Sequence, residues 1–85
     1  MPEISRFRGI VIKMYHSDHG PPHFHAVYAE HEISVDVESG VIHGSFPSQA
    51  LRYVIEWAEL HRAELLANWE RARQRKPLER IPPLE

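Results

Sequence analysis

Residues 32–38, Glu-Ile-Ser-Val-Asp-Val-Glu, alternate apolar and polar side chains without interruption. A period of two puts Ile33, Val35 and Val37 on one face of a strand and Ser34, Asp36 and Glu38 on the other. Such a strand belongs to an antiparallel sheet with one dry face and one wet face. The segments before it fit the same sheet. Residues 6–15 read as a first strand, rich in β-branched and aromatic types, and residues 23–29 as a second. Between them His16 to Pro22 carries the Asp, Gly and Pro-Pro chemistry of a turn, in which either X-Pro bond is free to be cis or trans. Ser39-Gly40 predicts a tight turn into a short fourth strand over 41–46.

Agreement between apolar faces predicts the registers. A two-residue turn at Glu30-His31 sets Phe24 against Val37, Ala26 against Val35 and Tyr28 against Ile33. The same pairing sets His25 opposite Asp36 and His23 opposite Glu38. A turn at Ser39-Gly40 sets Ile42 against Val37 and His43 against Asp36. The first strand fits with Met14 beside Phe24, Ile12 beside Ala26 and Lys13 beside His25. A slip of one residue would turn every core side chain to water, so parity is strongly specified.

From Pro47 the apolar spacing changes to steps of three and four, through Leu51, Val54, Ile55, Ala58, Leu65, Leu66 and Trp69. Pro47 or Ser48 starts the helix and Pro77 ends it. The fold class is therefore α+β: a three- to four-stranded antiparallel meander, one face covered by a long C-terminal helix. Eighty-five residues make one domain, divided into a sheet over 1–46, a helix over 47–75 and an irregular tail over 76–85. As one straight rod, residues 47–75 would span about 43 Å at 1.5 Å per residue. Strands of six or seven residues span only about 20–23 Å. The helix must bend near His61-Arg62 or carry Leu65, Leu66 and Trp69 onto a second chain. With no Pro or Gly inside it to favour a kink, the expectation is a homodimer through the C-terminal helix.

Composition excludes several functions. There are no cysteines, hence no disulfide framework, zinc ribbon or thiol nucleophile. No apolar run approaches the roughly 18 residues of a membrane span, and no signal pattern opens the chain, so the expected location is cytoplasmic with no membrane partner. A net charge of −2 gives no general attraction to nucleic acid, so RNA is not the favoured partner. Charge is uneven, however. Residues 14–45 hold five acids, six histidines and no Lys or Arg, whereas the two ends are basic.

The wet face of the expected sheet holds two rows, Lys13–His25–Asp36–His43 and Tyr15–His23–Glu38. One reading is the ordinary solvated side of a one-sided sheet, and three functional readings stand beside it. His25, Asp36 and His43 have the composition of a site for a divalent transition metal such as Zn, Ni or Mn. Lys13, His23, His25 and Asp36 supply a base, an acid, an orienting carboxylate and a cation, the parts needed to cleave RNA through its own 2′-hydroxyl. Aromatic, His and Arg side chains also suit a protein interface.

At DHGPPHFHA and WAELHRAELLANWE, and along most of its length, the chain resembles a bacterial family known as domain of unknown function 4160. The resemblance implies a small stand-alone bacterial protein in a toxin–antitoxin-like pair, its partner a small protein encoded nearby, of the domain of unknown function 2442 type. It supplies no catalytic residues. The function expected is that of an interaction partner in such a module; the alternative is a ribonuclease or metal-dependent hydrolase working on the His-rich face.

Overall fold

The computed structural model describes residues 3–16 and 19–85; Ser17 and Asp18 of the expected turn lie outside the described residues. Its sheet has five strands: β1 (Glu3–Phe7), β2 (Ile10–Lys13), β3 (His23–Tyr28), β4 (His31–Asp36) and β5 (Ile42–Gly44). Every strand pairs antiparallel with its sequence neighbours, in the order β1-β2-β3-β4-β5. The expected α+β meander is present, with one strand more than the pattern predicted.

The extra strand comes from a turn inside the segment expected to be one strand. Arg8 and Gly9 both have positive φ, 51° and 80°, the backbone of a two-residue hairpin turn. Phe7 then pairs directly with Ile10. A Cβ on Gly9 would come within 3.2 Å of the Tyr28 ring, so packing as well as φ demands glycine. Arg8 tolerates its conformation with its guanidinium 4.7 Å above the Tyr53 ring. The hairpin brings Ile4 and Phe7 into the core.

Registers hold in parity but not in full alignment. Ile12 lies opposite Ala26 and Lys13 opposite His25, as expected. Between β3 and β4 the pairing is displaced by two residues: Phe24 faces Val35, Ala26 faces Ile33 and Tyr28 faces His31. The turn is Ala29-Glu30, with Ala29 at φ 53°, rather than Glu30-His31. Tyr28 and His31 both pack on Phe46, with ring centroids 6.0 and 6.4 Å away. Phe46 thus takes the place that pattern matching assigned to Ile33. The β4–β5 pairing moves by two as well, with Ile42 facing Val35. Here the connection is wider than a two-residue turn: Asp36 N–H donates to Val41 O, and Val37 N–H reaches across to Pro22 O. A shift of two keeps every side chain on its face.

The helix is broken. α1 runs Ser48–Leu60 and α2 runs Arg62–Arg73, joined at His61, whose φ is −117° and ψ 27°. The bend needs no Pro or Gly, because the His61 ring lies against Trp57 and contacts the Glu64 carboxylate. It turns α2 back onto the chain. Leu65 is 0% exposed and Trp69 4%. Two of the three residues expected to reach a second chain are therefore buried within this one and the third, Leu66, is half-buried against the same core, so the geometric reason for a helix-mediated homodimer is removed. Val54 and Trp57 are fully buried on α1, whereas Ile55, expected on the apolar face, stays exposed.

The tail is irregular but docked. The Asn68 amide donates to Glu79 O and accepts from Glu79 N–H, Trp57 Nε1–H donates to Pro82 O, and Ile81 N–H donates to Ile4 O. The first three tie the tail to the helices, and the Ile81 bond sets it against the edge of β1, where it hinders pairing with another strand. Pro21 and Pro22 follow trans peptide bonds. Among the described residues no helix is long and apolar enough to cross a membrane.

Candidate functional site

β2, β3 and β4 present alternate residues to the sheet face opposite the one that packs on Trp57 of α1. Lys13, His25 and Ser34 lie in one row with His43 beyond them, and His23 lies opposite Asp36 in the next. The two-residue register difference has thus exchanged the carboxylate's neighbours. Asp36, expected beside His25, is beside His23, while Glu32 comes within 3.5 Å of His25 Nδ1. Asp36 still reaches His43, diagonally, with Oδ2 3.6 Å from Nε2. Ser39 Oγ–H also donates to Asp36 Oδ2 at 3.5 Å.

Four rings form a continuous array. Tyr15 meets His25 edge-on at 4.9 Å, His25 meets His23 at 5.2 Å, and His23 lies 5.0 Å from Trp69. The strand period makes the first three neighbours; the helix bend brings the fourth. His23 Nδ1–H donates to Pro21 O at 2.9 Å, which selects one ring tautomer and fixes the ring plane. At the loop, His16 Nε2–H donates to the backbone oxygen of Lys76 at 3.0 Å. The loop is thereby tied to the end of α2.

Of the proposed catalytic set, Lys13, His23 and His25 come together, and Asp36 joins through His23. Of the proposed metal set, Asp36 and His43 approach each other, while His25 has Ser34 as its neighbour and Glu32 as its carboxylate. Among the described residues no three His, Cys, Asp or Glu side chains are grouped to hold a metal ion.

The contributions of Glu32 and Trp69 were not legible from parity. Glu32 depends on the β3–β4 alignment, and Trp69 on the break at His61. Among the described residues, the strongly displaced acid is Glu3, which lies elsewhere on the sheet, at the start of β1. Hydrogen bonds from Arg6 and then Arg80 hold its carboxyl down at about 2.

Neither a curated protein nor a solved structure matches the chain. A family model does match, over residues 9–70, from the turn of the first hairpin to the buried face of α2, and it takes in the whole ring array. The chain belongs to the family described as Domain of unknown function (DUF4160).

Proposed function

We propose that the open sheet face is a docking surface for a small protein partner, and that the protein acts in the cytoplasm as one half of a toxin–antitoxin-like pair. The partner is a small protein encoded nearby, of the domain of unknown function 2442 type. One observation carries the reading: on the open side of the sheet the rings of Tyr15, His25 and His23 are half-buried and meet edge to edge, with Trp69 of α2 closing only the His23 end. A merely solvated sheet face has no need to order adjacent rings edge to edge. Interface centres are enriched in such side chains, because rigid rings exclude water at small entropic cost. Val11 and Val27, paired across β2 and β3 and also half-buried, extend the same surface with apolar area.

Trp69 and Leu65 were among the side chains expected to reach a second chain. Both are core residues, so the test moves to the open face. Co-expressed with the neighbouring protein, the chain is expected to elute as one stable complex. Tyr15→Ala should weaken that complex by roughly 2 kcal/mol, about thirtyfold, as interface-centre aromatics do. Separate elution of the two wild-type proteins would end the reading.

A second reading keeps a specific observation in its favour. Lys13 lies directly opposite His25, as acid–base cleavage of a phosphodiester requires of a cation and a base. In that case expression of the protein alone arrests growth and His25→Ala relieves the arrest. Equal growth of both strains would exclude it. The metal-dependent form of the alternative has no three-ligand group to support it among the described residues.

A further inference from the structure

The bend at His61 places the basic end of α2 against the histidine loop, a neighbourhood that sequence distance hides. The contact is the His16 ring on the Lys76 carbonyl, and seven residues earlier Trp69 meets His23. The chain leaves α2 through Arg75, at φ 58°, and Lys76, whose N–H donates to Arg71 O. Two of the local cations are matched: Arg71 lies 3.3 Å from Glu79 and Arg73 3.2 Å from Glu70. Among the described residues, Arg75, Lys76 and Lys13 have no ion pair.

The neighbouring edge adds to the same sign. Lys13 is paired across the ladder with Glu3, and that one carboxylate is already shared by Arg6 and Arg80. Among the described residues on this side of the sheet, Glu3 already serves both Arg6 and Arg80, which leaves Lys13, Arg75 and Lys76 as cations without an ion pair. Asp36 lies beyond His23, across the β3–β4 ladder, and is in contact with His43. A chain with net charge −2 thus carries a locally cationic corner, and rings border it.

We infer that the corner formed by Lys13, Tyr15, Arg75 and Lys76 binds single-stranded nucleic acid, with the cations on backbone phosphates and the Tyr15 ring beneath a base. Charge complementarity selects a polyanion. The ring array selects one with flat unpaired bases, because stacking on an aromatic face is available to any base that is not in a duplex. A purely acidic protein surface would use the cations and leave the rings without a role. This inference shares Tyr15 with the proposed docking face and Lys13 with the cleavage reading, but it asks only for binding and adds Arg75 and Lys76, which neither of those uses.

The test is fluorescence anisotropy of a labelled 12-nucleotide mixed-sequence RNA, and of DNA with the same sequence, titrated with the full chain from about 50 to 200 mM salt. Saturable binding is expected, with a log–log salt slope near −2 for three phosphate contacts at about −0.7 each. Arg75→Asn with Lys76→Gln removes two charges using residues that suit the backbone there. It should weaken binding at least tenfold and bring the slope to about −0.7. Tyr15→Ser should weaken binding and leave the slope unchanged, which bulk electrostatics cannot do. Arg52→Gln, an exposed cation on α1, should change neither. Tighter binding of RNA than DNA would mark a contact to the 2′-hydroxyl, and equal binding would mark recognition of either strand. The inference is overturned if neither strand binds at low salt, if the double variant and Arg52→Gln behave alike, or if a polyglutamate peptide of equal charge competes as well as unlabelled strand. The complex with the small protein partner, measured with the same double variant, reports on the other proposal independently.

Discussion

Replacing Leu65 by Ala tests whether α2 folds back onto its own chain. Leu65 is 0% exposed and sits one turn after the bend, among the buried residues of the sheet and Trp69. Truncating a fully buried leucine costs about 2–5 kcal/mol: the lost transfer of its methyl and methylene groups plus the cavity left behind. Alanine's better helix propensity returns only a few tenths of that. Small domains have urea m-values of about 1 kcal/mol/M or somewhat more. The unfolding midpoint should therefore fall by about 2 M or more, followed by far-ultraviolet circular dichroism. Leu60, five residues earlier, is 67% exposed, and Leu60→Ala should move the midpoint by no more than about 0.5 M. The measurement is repeated at two protein concentrations a hundredfold apart. Intramolecular burial gives the same loss at both. A loss that shrinks on dilution would mean a second copy covers Leu65, and equal effects at Leu60 and Leu65 would mean that α2 is not docked; either result refutes the bend.

Three further predictions concern the elements around that core. Asn68→Ala leaves the Glu79 N–H and C=O without their partners, which should cost about 1–3 kcal/mol and expose the tail to protease cleavage ahead of global unfolding; wild-type cleavage rates would contradict the clamp. Glu3 has a folded-state pKa lowered from 4.5 to about 2 by Arg6 and Arg80. Its stabilising contribution is therefore fully present above about pH 4.5 and lost as pH falls towards 2, so the melting-temperature gap between wild type and Glu3→Gln should close over that window, and a gap constant with pH would refute it. Ser5 is 1% exposed and its hydroxyl has no hydrogen-bond partner among the described residues. Ser5→Ala should therefore raise stability by about 1 kcal/mol in a thermal melt, and a loss of similar size would show that the hydroxyl is satisfied.

The open face illustrates how strand parity and strand register differ in what they reveal. Parity alone correctly assigned His23, His25, Lys13, Asp36 and His43 to one side, and it paired Lys13 with His25. It could not choose between alignments two residues apart, because both bury the same set of apolar side chains. That choice decides whether Asp36 serves His25 or His23, and it turned on Phe46, a residue distant in sequence that packs on Tyr28 and His31. The N-terminal hairpin was missed for a different reason. Arg-Gly is a weaker turn signal than Asn-Gly, and Arg8 is held at positive φ with its side chain over Tyr53, far along the chain.

What the amino-acid sequence determined by itself was local and periodic. The alternation through Ile33, Val35 and Val37 required a one-sided sheet, and the change of period after Pro47 required an amphipathic helix. The histidine loop was already placed between two strands, and the mismatch between helix length and strand length already required either a bend or a neighbour. Only the tertiary structure decided between them. The energy that bends the chain at His61 comes from burying Leu65 and Trp69 against residues up to some sixty positions away, and no local preference encodes that gain. The same bend sets Trp69 against His23 and Lys76 against His16. Side chains that are neutral neighbours in sequence thereby become, in the folded chain, a ring array with a cationic border.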